Sequence, residues 1–130
     1  MEPFTWSDKI SVGSPAMDAQ HMKLIELLNA LAFDADPGVV FDTVMRMFDY
    51  ASVHFKEEEA LLARIGYREL ERQKSEHHAF LSKTTELAGQ SLGDPATSVK
   101  IATYLTTWLL HHIMEEDMKY KPYIPESEKS

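Results

Sequence analysis

The chain has 130 residues and no cysteine, and its 13 Lys+Arg against 21 Asp+Glu leave a formal net charge of −8. A single domain of this size buries roughly two-thirds of its unfolded surface without disulfides, which disfavours both a peptide and a two-domain enzyme. The acidic balance argues against nucleic acid and anionic membrane faces as partners, and the lack of thiols leaves only nitrogen and oxygen to hold any metal.

Gly and Pro punctuate the chain at Gly13/Pro15, Pro37/Gly38, Gly66, Gly93/Pro95, Pro122 and Pro125, leaving four intervals of helical length. Residues 1–15, with Phe4, Trp6, Ile10 and Val12, are too apolar for a free tail and too irregular for a helix, and are expected to form a packed arm. The bundle occupies residues 16–120. Its helices are predicted over Ala16–Phe33, Val39–Arg64, Tyr67–Gly89 and Ala96–Tyr120, with Asp94-Pro95 as cap and first turn of the last. Short connections between helices of similar length favour antiparallel neighbours, so the expected fold is all-α, an up-down-up-down four-helix bundle in a single domain. Residues 121–130 read as a frayed polar tail. No run of roughly 18 apolar residues is present, and Met1-Glu2-Pro3-Phe4-Thr5-Trp6 has neither a basic nor an apolar leader segment. A cytoplasmic protein without membrane insertion is the expectation.

At about 100° per residue, helix two aligns Val44, Met47, Phe48, Ala51, Phe55, Leu61, Leu62 and Ile65, and His54 and Glu58 fall inside that stripe. A buried carboxylate needs a charged or hydrogen-bonded partner, and the i, i+4 spacing brings imidazole and carboxylate together. Helix one places His21 among Met17, Leu24, Ile25, Leu28, Leu31 and Ala32. Helix three places Gln73 and His77 along Leu70, Phe80, Leu81, Thr84, Leu87 and Ala88, and helix four sets His112 beside Ala102, Leu105, Leu109 and Ile113. One buried histidine is ordinary; one from each of four helices, with Glu58 among them, calls for a bound cation. Imidazoles and carboxylates without sulfur suit iron, manganese or zinc, and the candidates outnumber the four ligands of a structural zinc. Bundles that direct His and Glu inward from four helices hold carboxylate-bridged metal pairs, and two iron ions fit this chemistry best.

Helix four leaves two carboxylates open. An ideal helix brings Glu116, at i+4, nearest to His112, whereas Asp117 at i+5 sits about 140° around the axis and needs a local distortion to join it.

In order along the chain, Trp6, Asp18-Ala19-Gln20-His21, His54-Phe55-Lys56-Glu57-Glu58, Gly66-Tyr67 and Trp108 through Tyr120 resemble the hemerythrin family, specifically its short bacterial members, over nearly the whole length. The second segment matches the family's HxxxE motif, and His112-Ile113-Met114-Glu115-Glu116-Asp117 resembles its final HxxxxD segment. The resemblance implies two iron ions (Fe2+/Fe3+) with an oxo or hydroxo bridge, binding dioxygen reversibly. It implies Glu58 and Asp117 as bridging carboxylates, thereby choosing Asp117 over Glu116. It further implies His21 and His54 on the iron with the open position, and His77 and His112 on the other.

One ligand departs from the pattern: where the family has HxxxH, this chain has Gln73-Lys74-Ser75-Glu76-His77. Gln73 can ligate through its carbonyl, yield to water or to Glu76, or leave an iron open; His78, about 100° from His77, faces elsewhere. His78 and His111 are expected at the surface or behind the ligands. Phe55, Trp108, Leu109 and Ile113 are expected as ordinary core that doubles as the oxygen pocket. Tyr120 reads as packing or as a donor behind the ligands, and Glu57, Glu59, Glu115 and Glu116 as solvated charges. Storage, delivery or sensing of dioxygen is the leading reading. A diiron oxidase or peroxidase, suggested by Gln73, is the alternative, since no base, nucleophile or substrate-shaped pocket is evident in the sequence. A metal-stabilised interaction module is third.

Overall fold

The computed structural model describes residues 4–33, 37–89 and 95–129. Four α-helices make up the bundle: α1 over Pro15–Phe33, α2 over Pro37–Arg64, α3 over Leu70–Ala88 and α4 over Pro95–His111. Each of α1, α2 and α4 starts on a proline, whose fixed φ suits the first turn and whose missing N–H is not needed there. At α1 the preceding Ser14 accepts a hydrogen bond from the Met17 N–H at 3.3 Å, the expected cap geometry. Asp94, the cap expected for the last helix, lies outside the described residues.

α2 ends where Gly66 takes φ +68. The Tyr67 N–H then bonds to Leu62 O at 2.9 Å and the Gly66 N–H to Ala63 O at 3.2 Å, the paired closure of a left-handed C-terminal cap. This closure occupies Tyr67, so α3 starts at Leu70, three residues later than the sequence spacing suggests. The arm is packed as expected. Phe4 exchanges two 2.9 Å hydrogen bonds between its backbone and the Asn29 side chain, and Asp18 accepts from Val12 N and Ser11 Oγ.

α1 lies against α2 and α4, and α2 also against α3. One apolar cluster includes Leu24, Leu28, Met47, Phe55, Phe80, Leu105, Leu109 and Ile113. A smaller one holds Val12, Met17, Leu61, Leu62, Tyr120 and Ile124. His21, between Met17 and Leu24, and Glu58, between Phe55 and Leu61, fall at the level where the two clusters meet. Phe48, Ile65, Leu70, Leu81, Leu87 and Ala88 are half-buried rather than fully enclosed, and the side chain of Ala32 lies outside the described residues.

Two departures from the sequence reading concern the C-terminal end. The α-helix does not continue from Ala96 to Tyr120. It stops at His111, gives way to a π-helical turn over His112–Glu116, and tightens into a 3-10 segment over Asp117–Tyr123. Nor is the end of the chain a frayed tail. Ile124 is buried in the smaller cluster, and Glu128 takes two hydrogen bonds from Arg64, at 3.0 and 3.1 Å. The buried Ile124 and a cation on a distant helix anchor a segment that is mostly polar by composition.

Candidate metal centre

Four helices send polar side chains to the level between the two apolar clusters. α1 contributes His21, α2 contributes His54 and Glu58, α3 contributes Gln73 and His77, and the π-helical turn contributes His112 and, at its end, Asp117. All seven are at most 2% exposed. The π turn decides between the two acids that the sequence left open. Its wider winding is closed by the Asp117 N–H on His112 O, an i to i+5 hydrogen bond, which swings Asp117 inward over His112. Glu116 is correspondingly turned toward α3, where it accepts from Arg72 at 2.9 and 3.0 Å.

The seven groups divide into two sets. His21 Nε2 lies 3.5 Å from Glu58 Oε2 and 3.2 Å from Asp117 Oδ2, and His54 Nε2 lies 3.8 Å from the same Glu58 oxygen. On the other side, His77 Nε2 is 3.0 Å from Glu58 Oε1, His112 Nε2 is 3.1 Å from Asp117 Oδ1, and the two Nε2 atoms are 3.2 Å apart. Each carboxylate thus offers one oxygen to each pair of imidazoles. Donors bound at right angles about 2.1 Å from one ion stand about 3 Å from each other, which is the spacing seen here. The groups His21, His54, Glu58 and Glu58, His77, His112 each converge closely enough to hold an ion.

Hydrogen bonding shows why these groups fit cations rather than each other. Glu57 accepts a hydrogen bond from Gln20 Nε2, which turns Gln20 Oε1 toward His54 Nδ1 at 2.6 Å and makes that nitrogen the donor. His77 Nδ1 donates to Glu59 at 2.8 Å and His112 Nδ1 to Glu76 at 2.9 Å, because an ionised carboxylate can only accept. In the neutral rings the Nε2 atoms of His54, His77 and His112 therefore carry lone pairs that face carboxylate oxygens and one another. Such a cluster is repulsive unless a cation or added protons sit within it. In addition, His21 Nε2, Glu58 Oε1, Gln73 Oε1 and Asp117 Oδ2 are buried with no hydrogen-bond partner. Nearby charges lie within 3.0–3.2 Å of three of them but off hydrogen-bond geometry. Unpaired buried polar groups are strongly unfavourable, so this donor set fits metal ions.

The electrostatics point the same way. Burial opposes charge on His21, but Asp117 and Glu58 outweigh it and raise the imidazole to about 10. His112 is raised to about 9 against burial by Asp117, Glu58 and Glu76. Burial dominates at His54 and drives it to about 4. Burial would raise Glu58, yet the imidazoles of His54, His21 and His77 hold it well below the ordinary carboxylate range. Tyr120 donates its hydroxyl to Glu58 Oε2 at 2.7 Å, and burial with the adjacent carboxylates pushes its own ionisation well above 10.

Residues 12–124 match the family model described as the hemerythrin HHE cation binding domain. The chain belongs to the hemerythrin family. It is 30% identical over 126 residues to the bacteriohemerythrin of Clostridium acetobutylicum, covering 90% of this chain and 98% of that one. To the hemerythrin-like protein of Naegleria gruberi it is 32% identical over 119 residues, 92% of each. The crystal structure of wild-type hemerythrin superposes with a TM-score of 0.79 at 23% identity, over 95% of this chain and 98% of that one, and so shares the four-helix fold. A hemerythrin-family chain holds a diiron centre, and the His and Glu groups described above are compatible with one.

Phe55, Leu109 and Ile113 are buried in the larger apolar cluster, with the half-buried Trp108 packed against it. The Phe55 ring stacks on His77 at 3.9 Å and the Trp108 ring on His112 at 4.8 Å, so the aromatic wall lies directly on the second imidazole pair. His78 and His111 are exposed, and the structure does not bring them to the cluster. Two expectations about the acids need correction. Glu59 is half-buried on His77 and Glu116 is buried on Arg72, so neither is a solvated charge; Glu57 is exposed yet orients Gln20. Sequence reasoning missed Gln20, Glu59 and Glu76 as the groups behind the imidazoles. Gln20 and Glu76 each immediately precede a candidate histidine and Glu59 follows Glu58, but each serves a histidine on another helix, and such pairing is invisible along the chain.

Proposed function

We propose that this chain holds two iron ions between its four helices and binds dioxygen reversibly, for storage, delivery or sensing. The observation that carries this reading is the division of Glu58 and Asp117, one oxygen of each toward His21 and His54 and the other toward His77 and His112. Two ferrous ions supply the pair of electrons that reversible uptake of dioxygen requires.

The protein's part is positional. Glu58 and Asp117 would hold the ions between the helices, and Tyr120 steadies Glu58 through its hydroxyl. Gln20, Glu59 and Glu76 fix the rings of His54, His77 and His112 so that their Nε2 lone pairs face inward, and such groups raise ligand basicity. Phe55, Leu109 and Ile113 would exclude water from one side of the centre. The oxidase reading rests on one observation, Gln73 in the place of an imidazole, with its carbonyl oxygen unpaired.

Purified protein should contain two irons per chain. The ferrous form should gain a visible charge-transfer band in oxygen and lose it when oxygen is withdrawn under vacuum. No iron uptake refutes the proposal, and irreversible oxidation with release of peroxide favours the oxidase.

A further inference from the structure

Gln73 marks the second metal position as different from the first. Its amide N–H donates to Asp117 Oδ1 at 3.0 Å, so the donor end of the amide, not its carbonyl, faces the bridging carboxylate. Glu76, the nearest substitute ligand, is already engaged: it accepts from His112 Nδ1 at 2.9 Å and lies 3.5 Å from Arg72. Gln73 Oε1 is unpartnered, but the amide N–H on Asp117 turns it from the bridging carboxylate, and with Glu76 engaged each position is left with two imidazoles and one oxygen from each of Glu58 and Asp117.

On the far side of Gln73 is a cavity of about 280 Å³ lined by Tyr67, Glu69, Arg72, Gln73, Glu116 and Lys119. Glu69, Arg72 and Lys119 are exposed and form its mouth, whereas Gln73 is 2% exposed and closes its inner end. Arg72 and Lys119 are both within reach of Glu116, which leaves the mouth polar and its charges balanced. The cavity has room for several waters or a small ion.

We infer that the position held by His77 and His112 has its own exogenous-ligand site, reached through this polar cavity past Gln73 and suited to a small anion. It is separate from the position beside His21 and His54. This inference rests on the diiron reading above. It gives the two metals unlike surroundings, because the position of His77 and His112 has the Gln73 amide and the polar cavity behind it.

The test is a titration of the diferric protein with azide, read by its charge-transfer bands and by the structure of the azide complex. The natural chain should bind two azides per diiron centre, one of them against Gln73. Gln73→His should reduce this to one, and Gln73→Ala should keep two. A single azide in the natural chain with two in Gln73→Ala overturns the inference, since Gln73 would then occupy the position itself. A single azide in both also overturns it. In each of those cases an iron content of two per chain leaves the diiron reading intact; less than two irons defeats both.

Discussion

Tyr120→Phe isolates one hydrogen bond at the centre of the bundle. Both Tyr120 and Glu58 are fully buried, and the 2.7 Å contact is a hydroxyl donating to a carboxylate held ionised by its imidazole neighbours. Hydrogen bonds to charged groups contribute about 1.5–3 kcal/mol, and phenylalanine preserves the ring's packing, including its edge contact with Tyr67. Glu58 Oε2 retains the His21 imidazole, raised to about 10 and so protonated at pH 7, at 3.5 Å, which softens the loss of the hydroxyl and places the expected change at about 2 kcal/mol. For a chain of this length that corresponds to a fall in Tm of roughly 6–10 °C. Thermal denaturation followed by circular dichroism, with iron removed and pH held at 7, measures it. In the loaded protein the same substitution should weaken iron retention about 10- to 100-fold against a chelator, because the hydroxyl orients a ligand. Tyr123→Phe, at a 62% exposed position, should leave both readouts unchanged. A Tm shift under about 2 °C together with unaltered iron retention would refute the assignment of Tyr120 as the group that steadies Glu58.

Two further outcomes follow from local geometry. Gly66 has φ +68 with open space where a Cβ would stand, so Gly66→Ala should destabilise by about 1–2 kcal/mol through backbone strain alone and Gly66→Asn by less, as measured by urea denaturation. Arg64 lowers the Glu128 carboxyl below its ordinary 4.5 by hydrogen bonding, so the pair supports the folded terminal segment above that value and its contribution is lost as pH falls through the depressed value. An NMR titration should place the Glu128 midpoint below 4.5 in the natural chain and return it toward 4.5 in Arg64→Gln.

Much of the centre is readable along the chain because helical periodicity is a local property. His21, His54, Glu58, Gln73 and His77 each share a stripe with large apolar residues, and a 3.6-residue repeat alone assigns them to the interior. The glycine and proline positions likewise bracket the four helices, although the backbone closure at Gly66 and Tyr67 shifts the start of α3 to Leu70. The choice between Glu116 and Asp117 is not local. In an ideal helix Glu116 would face His112, and only the π turn, with Glu116 paired to Arg72 on another helix, brings Asp117 into the cluster.

The order of polar and apolar residues along the chain was enough to specify a helical bundle with imidazoles and a carboxylate inside it, since burial of a periodic stripe follows from spacing. Which oxygen meets which imidazole, which tautomer each ring adopts, and how the terminal segment docks arose from groups 18 to 64 residues apart meeting in space. Gln20, Glu59 and Glu76 act on histidines of neighbouring helices, and the polar cavity behind Gln73 is built from α3, the turn before it and the irregular end of the last helix. Those relations depend on how the helices pack, because hydrogen bonds and ligand spacings are set by distances of a few ångströms that sequence separation does not encode.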